Sequence, residues 1–523
     1  MIEEKLPKSN NDTNGFLAPI NLLFLNNPYS ELSHYLQEAN NLLCRELVIL
    51  EKIDSDLDTH GKIKKKKRIL DKRWELSQNG KLPHIVIEES EIIEDDLRLQ
   101  GGHPRMSAYL VYMFLMLRGF FGGVKSSEFQ LFLMESKTVE LLISHCNIEK
   151  MPGFSTISED INAVSNETRG FIFDAQIRMI MDEGFDDFKD LTIDSTSVSA
   201  NSAWPTDSGI LLGLVTRLFR RGKKLHKFGI SDISDRRFPN IIKTMKELHK
   251  GISMTVKKPG SKSKRKKKYK KILKEAGSAH KAFCEEIKKV KESLCLVNIP
   301  PSQYMKLEKV FYWLEEDLAA LVNVISYCSK RINEEKSTPA KEKELSLSDK
   351  SVGFIEKGER EPVIGYKPQL GRSKKGFISA FTLPQGNASD SGEFKNVVLD
   401  GINRTAVIPD TVSADDGYSN KHVRDDFLEM GIRVVSISGS KGKKIIGDED
   451  WLSEDYVEAR NNRSAVESLM FTIKHNFDFG RVMRRGIENV HAELLEKVIA
   501  YNFCRIDELR MRRKCPSYLE LAA

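Results

Sequence analysis

Three carboxylates in the 523-residue chain stand where a strand or a helix can aim them at a common point. Asp194 closes the run Leu191-Thr192-Ile193 and is followed by Ser195-Thr196. Asp415 closes Val412-Ser413-Ala414 and is followed by Asp416-Gly417. Asp415 directly follows its strand, so it is favoured over Asp416. In open α/β sheets the crevice beyond the carboxyl ends of strands is the usual site. Either acid taken alone is equally the Asp of an ordinary turn. Glu467 is specified by helix geometry. At about 100° per residue, with Glu467 as zero, Arg463 falls near −40°, Arg460 near +20° and Lys474 near −20°. One carboxylate thus sits in a stripe of three cations, beside an apolar face of Val466, Leu469, Met470, Ile473 and Phe477. A surface salt-bridge stripe is the plain alternative, and exposed pairs are worth little. Three acids with a basic surround point to hard-metal chemistry on phosphates. Two Mg²⁺ ions about 3.5–4 Å apart would serve the attacking and the leaving oxygen, while the nearby cations hold a nucleic-acid backbone.

The elements that must position these acids follow from period and punctuation. Apolar spacing predicts a helix over Ser30–Ile53, followed by a basic block, Lys62–Arg73, and an acidic run, Glu88–Asp96. Gly101-Gly102-His103-Pro104 reads as a boundary. Met106–Phe121 is apolar on most faces and predicts a buried helix, and Ser126–Ser144 a second. After Pro152-Gly153, Ser155 to Asp160 has capping-box character and starts another helix. Such short helices suit a helix-turn-helix-like DNA module or a plain packing domain equally. A strand, Lys189–Asp194, comes next, then a lysine-rich helical stretch over about Leu211–Glu344. Strands return at Val363–Leu370, Gly376–Leu383, Thr405–Ile408, Val412–Ala414 and Ile432–Ile437, and a helix at about Tyr456–Asn476. Strands that resume after a helical excursion predict one α/β domain with an insertion.

Composition narrows the class. With 40% apolar and 30% charged residues, the chain is neither wholly disordered nor collagen-like. Its longest apolar stretch stops at Arg118, short of the roughly 20 residues of a membrane span. The opening Met1-Ile2-Glu3-Glu4 is acidic, so a cytoplasmic protein without a membrane partner is expected. Seven scattered cysteines form no C-x-x-C pair, and the eleven histidines form no metal-binding spacing. The net charge of +7 hides local blocks. Between Lys257 and Lys274 eleven of eighteen residues are Lys or Arg, with Lys264, Arg265, Lys266, Lys267 and Lys268 unbroken. Pro259-Gly260-Ser261 places this run in a loop, either touching phosphates without sequence readout or merely solvated. Trp74, beside the first block, can stack on a base or belong to the core. Gly371-Arg372-Ser373-Lys374-Lys375-Gly376 lacks the Walker spacing and reads as a hairpin turn. The Phe311, Trp313 and Leu318 spacing reads as core.

Six segments, in order, resemble a known family. Leu191-Thr192-Ile193-Asp194-Ser195-Thr196 resembles a first acidic motif. Trp204-Pro205-Thr206-Asp207 resembles the "YPTD" segment after it, with Trp for Tyr. Gly365 to Leu370 is similar to the next strand, and Pro384-Gln385-Gly386-Asn387-Ala388-Ser389-Asp390 to a "PGN…D" turn. Ser413-Ala414-Asp415-Asp416-Gly417-Tyr418 resembles "ADxGY". Arg463, Glu467 and Lys474 reproduce R-x3-E-x6-K, with Arg460 where many relatives carry Tyr. The chain resembles a DDE-type transposase of bacterial insertion sequences, with an RNase H-like catalytic fold, over about residues 100–225 and 360–505.

The resemblance implies an all-α DNA-binding region ahead of an RNase H-like α/β catalytic domain. The expected organisation is a basic N-terminal region (1–100), a helical DNA-binding domain (101–180), the catalytic domain (185–480) with a helical Lys-rich insertion at about 212–350, and a basic helical tail (481–523). It implies metal-dependent cleavage at transposon ends and transfer of the freed 3′ hydroxyl into target DNA. Asp194, Asp415 and Glu467 would hold two Mg²⁺ ions, for which Mn²⁺ can substitute. Arg460, Arg463, Lys474 and residues Lys264 to Lys268 would meet double-stranded DNA, and a homodimer would bridge two ends. A DNA-binding derivative that no longer cuts, and a purely hydrolytic nuclease of the same fold, are the competing expectations.

Overall fold

The architecture is that of a computed structural model, which describes residues 31–79, 106–122, 126–136, 139–140, 151–225, 228, 237–255, 260–293, 299–356 and 361–514. The acidic run Glu88–Asp96, the Gly101–Pro104 boundary and the end of the expected Ser126–Ser144 helix lie outside them. The chain divides into two units, one of residues 1–60, 103–201 and 351–523, the other of residues 61–102 and 202–350.

The first unit is organised by a five-stranded sheet. Its strands are β1 (Asp190–Ser195), β5 (Gln369–Ser373), β6 (Ile378–Thr382), β7 (Thr411–Ala414) and β8 (Val434–Ile437), in the order β6-β5-β1-β7-β8. β5 and β6 form an antiparallel hairpin on one side of β1, and β7 and β8 run parallel to β1 on the other. The 371–376 segment makes the hairpin turn, with Gly376 N donating to Ser373 O at 3.0 Å. A smaller sheet joins β2 (Val198–Ser199), β3 (Gly353–Ile355) and β4 (Val363–Tyr366) in the order β2-β4-β3. The single strand expected over Val363–Leu370 is therefore two. Pro368 has no N–H for a ladder, and Lys367-Pro368 is where the chain passes from one sheet to the other. The strand expected at Thr405–Ile408 is not formed. The helix Asp390–Thr405 runs through Thr405 and closes on Ala406 in the left-handed region, φ 54°.

Helices cover this sheet. Asp390–Thr405 packs on β6, β5 and β1 through Phe394, Val397 and Val398. The helix Ile487–Lys514 packs on Glu31–Arg45, Ala108–Phe120 and Asn166–Asp182. Ala108–Phe120 is buried on almost every face, as its composition predicts. Phe154–Ala163 starts one residue before Ser155, with Gly153 at its N-cap and no side-chain cap, so the expected capping box is not made. Segments expected as a separate helical domain and a separate tail thus share one unit with the sheet.

The second unit is helical: Asp207–Leu225, Arg237–Ser253, Ser261–Ser293 and Pro301–Ser329, with residues 61–78 of the helix Val48–Gln78. Its core includes Leu214, Leu218, Phe238, Ile272, Phe283, Leu314 and Leu321. Phe311 and Leu318 pack against that core. Trp313 instead lies between Arg221 and Lys309, each about 5.1 Å from its ring. Asp317, 1% exposed, receives Arg217 and Arg221.

Candidate active site

The parallel ladder fixes where Asp194 and Asp415 fall. Thr192 pairs with Ser413, and their hydroxyls hydrogen-bond at 3.0 Å. Two residues further along each chain come Asp194 and Asp415, on neighbouring strands at the carboxyl end of the sheet. Both are half-buried. Leu191, Ile193, Val412 and Ala414 anchor the two strands in one apolar cluster. Asp194 Oδ1 accepts from Ser195 N at 2.7 Å, and Asp415 Oδ1 from Gly417 N at 2.9 Å.

The neighbouring Asp416 is occupied. Its Oδ1 accepts from the N–H groups of Lys441 (3.0 Å) and Gly442 (2.9 Å) and from the Ser419 hydroxyl (3.2 Å). It therefore satisfies the first turn of the helix Ser440–Ile446, whose own preceding residue, Gly439, has no side chain to offer. Gly439 sits at φ +99°, and a Cβ there would stand 2.6 Å from Asp416 Cγ. Asp415 Oδ1, by contrast, accepts only the short-range Gly417 N–H among the described residues.

A further carboxylate, Asp390, stands beside Asp415. A Cβ at Gly417 would lie 3.0 Å from Asp415 Oδ1 and 3.2 Å from Asp390 Oδ2, so both oxygens close tightly around this glycine. Asp390 Oδ2 pairs with Lys367 Nζ at 2.8 Å, and Asp390 Oδ1 accepts from Gln369 Nε2 at 3.2 Å. Tyr418 donates its hydroxyl to Gln369 Oε1 and also hydrogen-bonds the Ser195 side chain. Burial, reinforced by Asp390, Asp194 and Asp415, pushes the Tyr418 hydroxyl well above its ordinary pKa. Asp390, Lys367, Gln369 and Tyr418 all fall inside sequence segments with recognisable motifs. Their chemical role was not legible there, because the contacts join three distant segments.

Glu467 keeps Arg463 of its expected cationic stripe and loses Arg460. The predicted helix is broken into Glu454–Asn462 and Ser464–Asn476 at Arg463. Val466, Leu469, Met470 and Ile473 are buried, and the second helix packs against β1. Glu467 is 65% exposed and pairs with Arg463 at 3.1 Å. Arg460 does not join that face. Its guanidinium stacks 4.0 Å from the Trp451 ring centroid and donates to Trp451 O at 2.7 Å. Lys474 is half-buried. Among the described residues, no three His, Cys, Asp or Glu side chains stand close enough to hold a metal ion.

A hard cation nevertheless suits Asp194 and Asp415. Both offer only oxygen donors, at the carboxyl ends of adjacent parallel strands. Mg²⁺ is commonly held by one or two carboxylates and keeps several waters. A cleft of about 700 Å³ lies elsewhere, lined by Asp190, Thr411 and Arg433 at the amino ends of β1, β7 and β8.

The basic run is helical, not a loop. Lys264 to Lys268 belong to Ser261–Ser293. Its buried residues Tyr269, Ile272, Ala276, Ala279, Phe283, Ile287 and Val290 recur at helical spacing. Lys262, Arg265 and Lys266 line a cavity of about 740 Å³ with Tyr269 and Arg331. Lys268 instead donates to Gly251 O at 2.7 Å. The Lys62–Arg73 block lies in Val48–Gln78, and Trp74 is half-buried there.

The five-stranded mixed sheet thus carries Asp194 and Asp415 at the carboxyl ends of two adjacent parallel strands. Residues 342–503 match the family model described as the transposase DDE domain, so the chain carries a DDE-type transposase domain there. That family implies an RNase H-like fold, with which this sheet agrees. The matched segment contains Asp390, Asp415 and Glu467, whereas Asp194 reaches the sheet on β1 from outside it. No curated protein and no solved structure gave a significant match to the chain. Among the described residues, no helix is long and apolar enough to cross a membrane.

Proposed function

We propose that the protein is an active transposase that cuts DNA at transposon ends and joins the freed 3′ hydroxyl to target DNA. The observation that carries this reading is the placement of Asp194 and Asp415 on adjacent parallel strands, inside a sheet otherwise supplied by the matched domain. Asp194 and Asp415 would hold divalent cations, Mg²⁺ by preference. Such ions would supply positive charge to the attacking and leaving oxygens of a phosphate. The protein's own part is positioning and charge stabilisation, with no covalent enzyme intermediate.

Glu467 would complete the site when DNA engages Arg463. Their exposed i,i+4 pair is worth about 0.3–0.5 kcal/mol, so releasing the carboxylate costs little. Arg463 and Lys474 would meet the backbone near the acids. The Lys264–Lys268 helix would add phosphate contacts, chiefly through Arg265 and Lys266. A homodimer bridging two ends, in the cytoplasm of a bacterial cell, fits this activity.

The decisive experiment compares wild type with Asp194→Asn for DNA binding and nicking. Loss of nicking with unchanged affinity supports the reading. Retained nicking by Asp194→Asn refutes it, and tight binding without nicking by wild type favours a non-cutting DNA-binding protein.

A further inference from the structure

The polar network around Asp390 has no part in the three-acid scheme, yet it is almost wholly buried. Gln369 and Tyr418 are each 0% exposed, and the Lys367 and Asp390 side chains 9% and 15%. Burying a lysine, a carboxylate, an amide and a phenol together is costly unless every member is satisfied. Here they satisfy one another. Lys367 Nζ donates to Asp390 Oδ2 (2.8 Å) and Ala388 O (3.3 Å). Gln369 bridges, donating to Asp390 and accepting from Tyr418. Tyr418 reaches Ser195, the residue after Asp194, which faces Gln369 across the β1–β5 ladder.

The connectivity has a consequence for the acids. Ser195 shares a strand end with Asp194. Tyr418 ends the short 3-10 turn Asp416–Tyr418, which Asp415 caps. Asp390 opens the helix Asp390–Thr405, and its carboxylate and that of Asp415 both press against Gly417. Three segments far apart in sequence are therefore held at one place by a single chain of hydrogen bonds. Groups of this kind set the orientation of metal-binding carboxylates, and their loss typically costs about 10–100-fold in metal affinity.

We propose that Asp390, held by Lys367, and Tyr418 are positioning residues that fix the spacing of Asp194 and Asp415 for a divalent cation. The proposal rests on the reading of those two acids as cation ligands. It assigns Lys367 the role of countercharge to Asp390, which keeps that carboxylate turned into the network.

The test is Mn²⁺ binding to the full-length protein, followed by electron paramagnetic resonance and without DNA. Wild type, Asp194→Asn, Asp390→Asn, Tyr418→Phe and the double variant Lys367→Met/Asp390→Asn are compared, with circular dichroism as the check on folding. The double variant removes both buried charges and stands in if Asp390→Asn alone does not fold. The expected result is loss of about 10-fold in Mn²⁺ affinity for both Asp390→Asn (or the double variant) and Tyr418→Phe. Wild-type affinity in these variants, with binding abolished in Asp194→Asn, overturns the proposal and leaves the acid assignment standing. Loss in Asp390→Asn with normal binding in Tyr418→Phe also overturns it, because Asp390 would then touch the ion directly. Failure of wild type to bind Mn²⁺ at all overturns the acid assignment, and the proposal with it.

Discussion

Glu496→Gln is expected to cost the first unit a large share of its stability. Glu496 lies on the helix Ile487–Lys514 with a side chain 2% exposed, and it receives three arginines. Arg118 binds it through two nitrogens at 2.8 and 2.9 Å, Arg169 Nε at 2.8 Å and Arg484 Nη2 at 2.9 Å. Burial alone would push this carboxyl up, yet Arg118, Arg484 and Arg169 together hold it well below the usual carboxylate range. Gln keeps the shape and removes the charge, leaving three guanidinium groups to repel one another. Breaking one buried pair costs about 3–5 kcal/mol. At about 2–4 °C per kcal/mol for a unit of this size, the melting temperature should fall by about 10 °C. The pH dependence has a definite sign. A carboxyl whose folded pKa is depressed stabilises the protein above its unfolded pKa, and that stability is lost as pH falls. Wild type should therefore lose its advantage over Glu496→Gln progressively below about pH 4.5, the carboxyl's ordinary value. Thermal melts of both proteins at pH 7 and at pH 4 and below measure this. A shift under 2 °C at pH 7, or a gap that does not narrow in acid, would refute the reasoning.

Asp416→Ala should lower stability by about 1–2 kcal/mol, through the uncapped helix Ser440–Ile446, while metal-dependent nicking persists. Lost nicking at unchanged melting temperature would make Asp416 the catalytic acid instead of Asp415. Arg460→Ala should cost about 1–2 kcal/mol by removing the stack and hydrogen bond to Trp451, with DNA affinity unchanged. Weaker DNA binding without a stability change would contradict that assignment. Replacing Lys262, Arg265 and Lys266 together by Ala should reduce the slope of log affinity against log salt by about 2–3, whereas Lys268→Ala should leave the slope alone. Equal slopes for wild type and the triple variant would remove that face from the DNA interface.

What the sequence made legible is what local pattern controls. Asp194 and Asp415 could be placed because each follows a short apolar strand, and a strand end fixes the direction of the next side chain. The burial of Ala108–Phe120 was legible because most of its faces are apolar. Glu467 shows the limit of helical arithmetic. Its spacing to Arg460 assumes that helix position alone sets a side chain's partner, whereas Arg460 stacks on Trp451, nine residues before it. The basic run was read as a loop because Pro259-Gly260 precedes it. The stripe from Tyr269 to Val290, which shows a helix, lies mostly beyond the charged block. Long-range polar partners left no local trace. Arg118 and Glu496 are 378 residues apart, and Gln369 and Tyr418 are 49 apart. Their pairing follows from how the sheet and helices close, not from spacing along the chain.

The most direct test of the central claim is a nicking and strand-transfer assay on the DNA that flanks this gene. Wild type, Asp194→Asn and Asp415→Asn would be compared with Mg²⁺, Mn²⁺ or chelator. Nicks at a defined end and joined products are expected, dependent on metal and lost in both variants, with all three proteins binding the DNA equally. Nicking that survives chelation, or that persists in either variant, would contradict it.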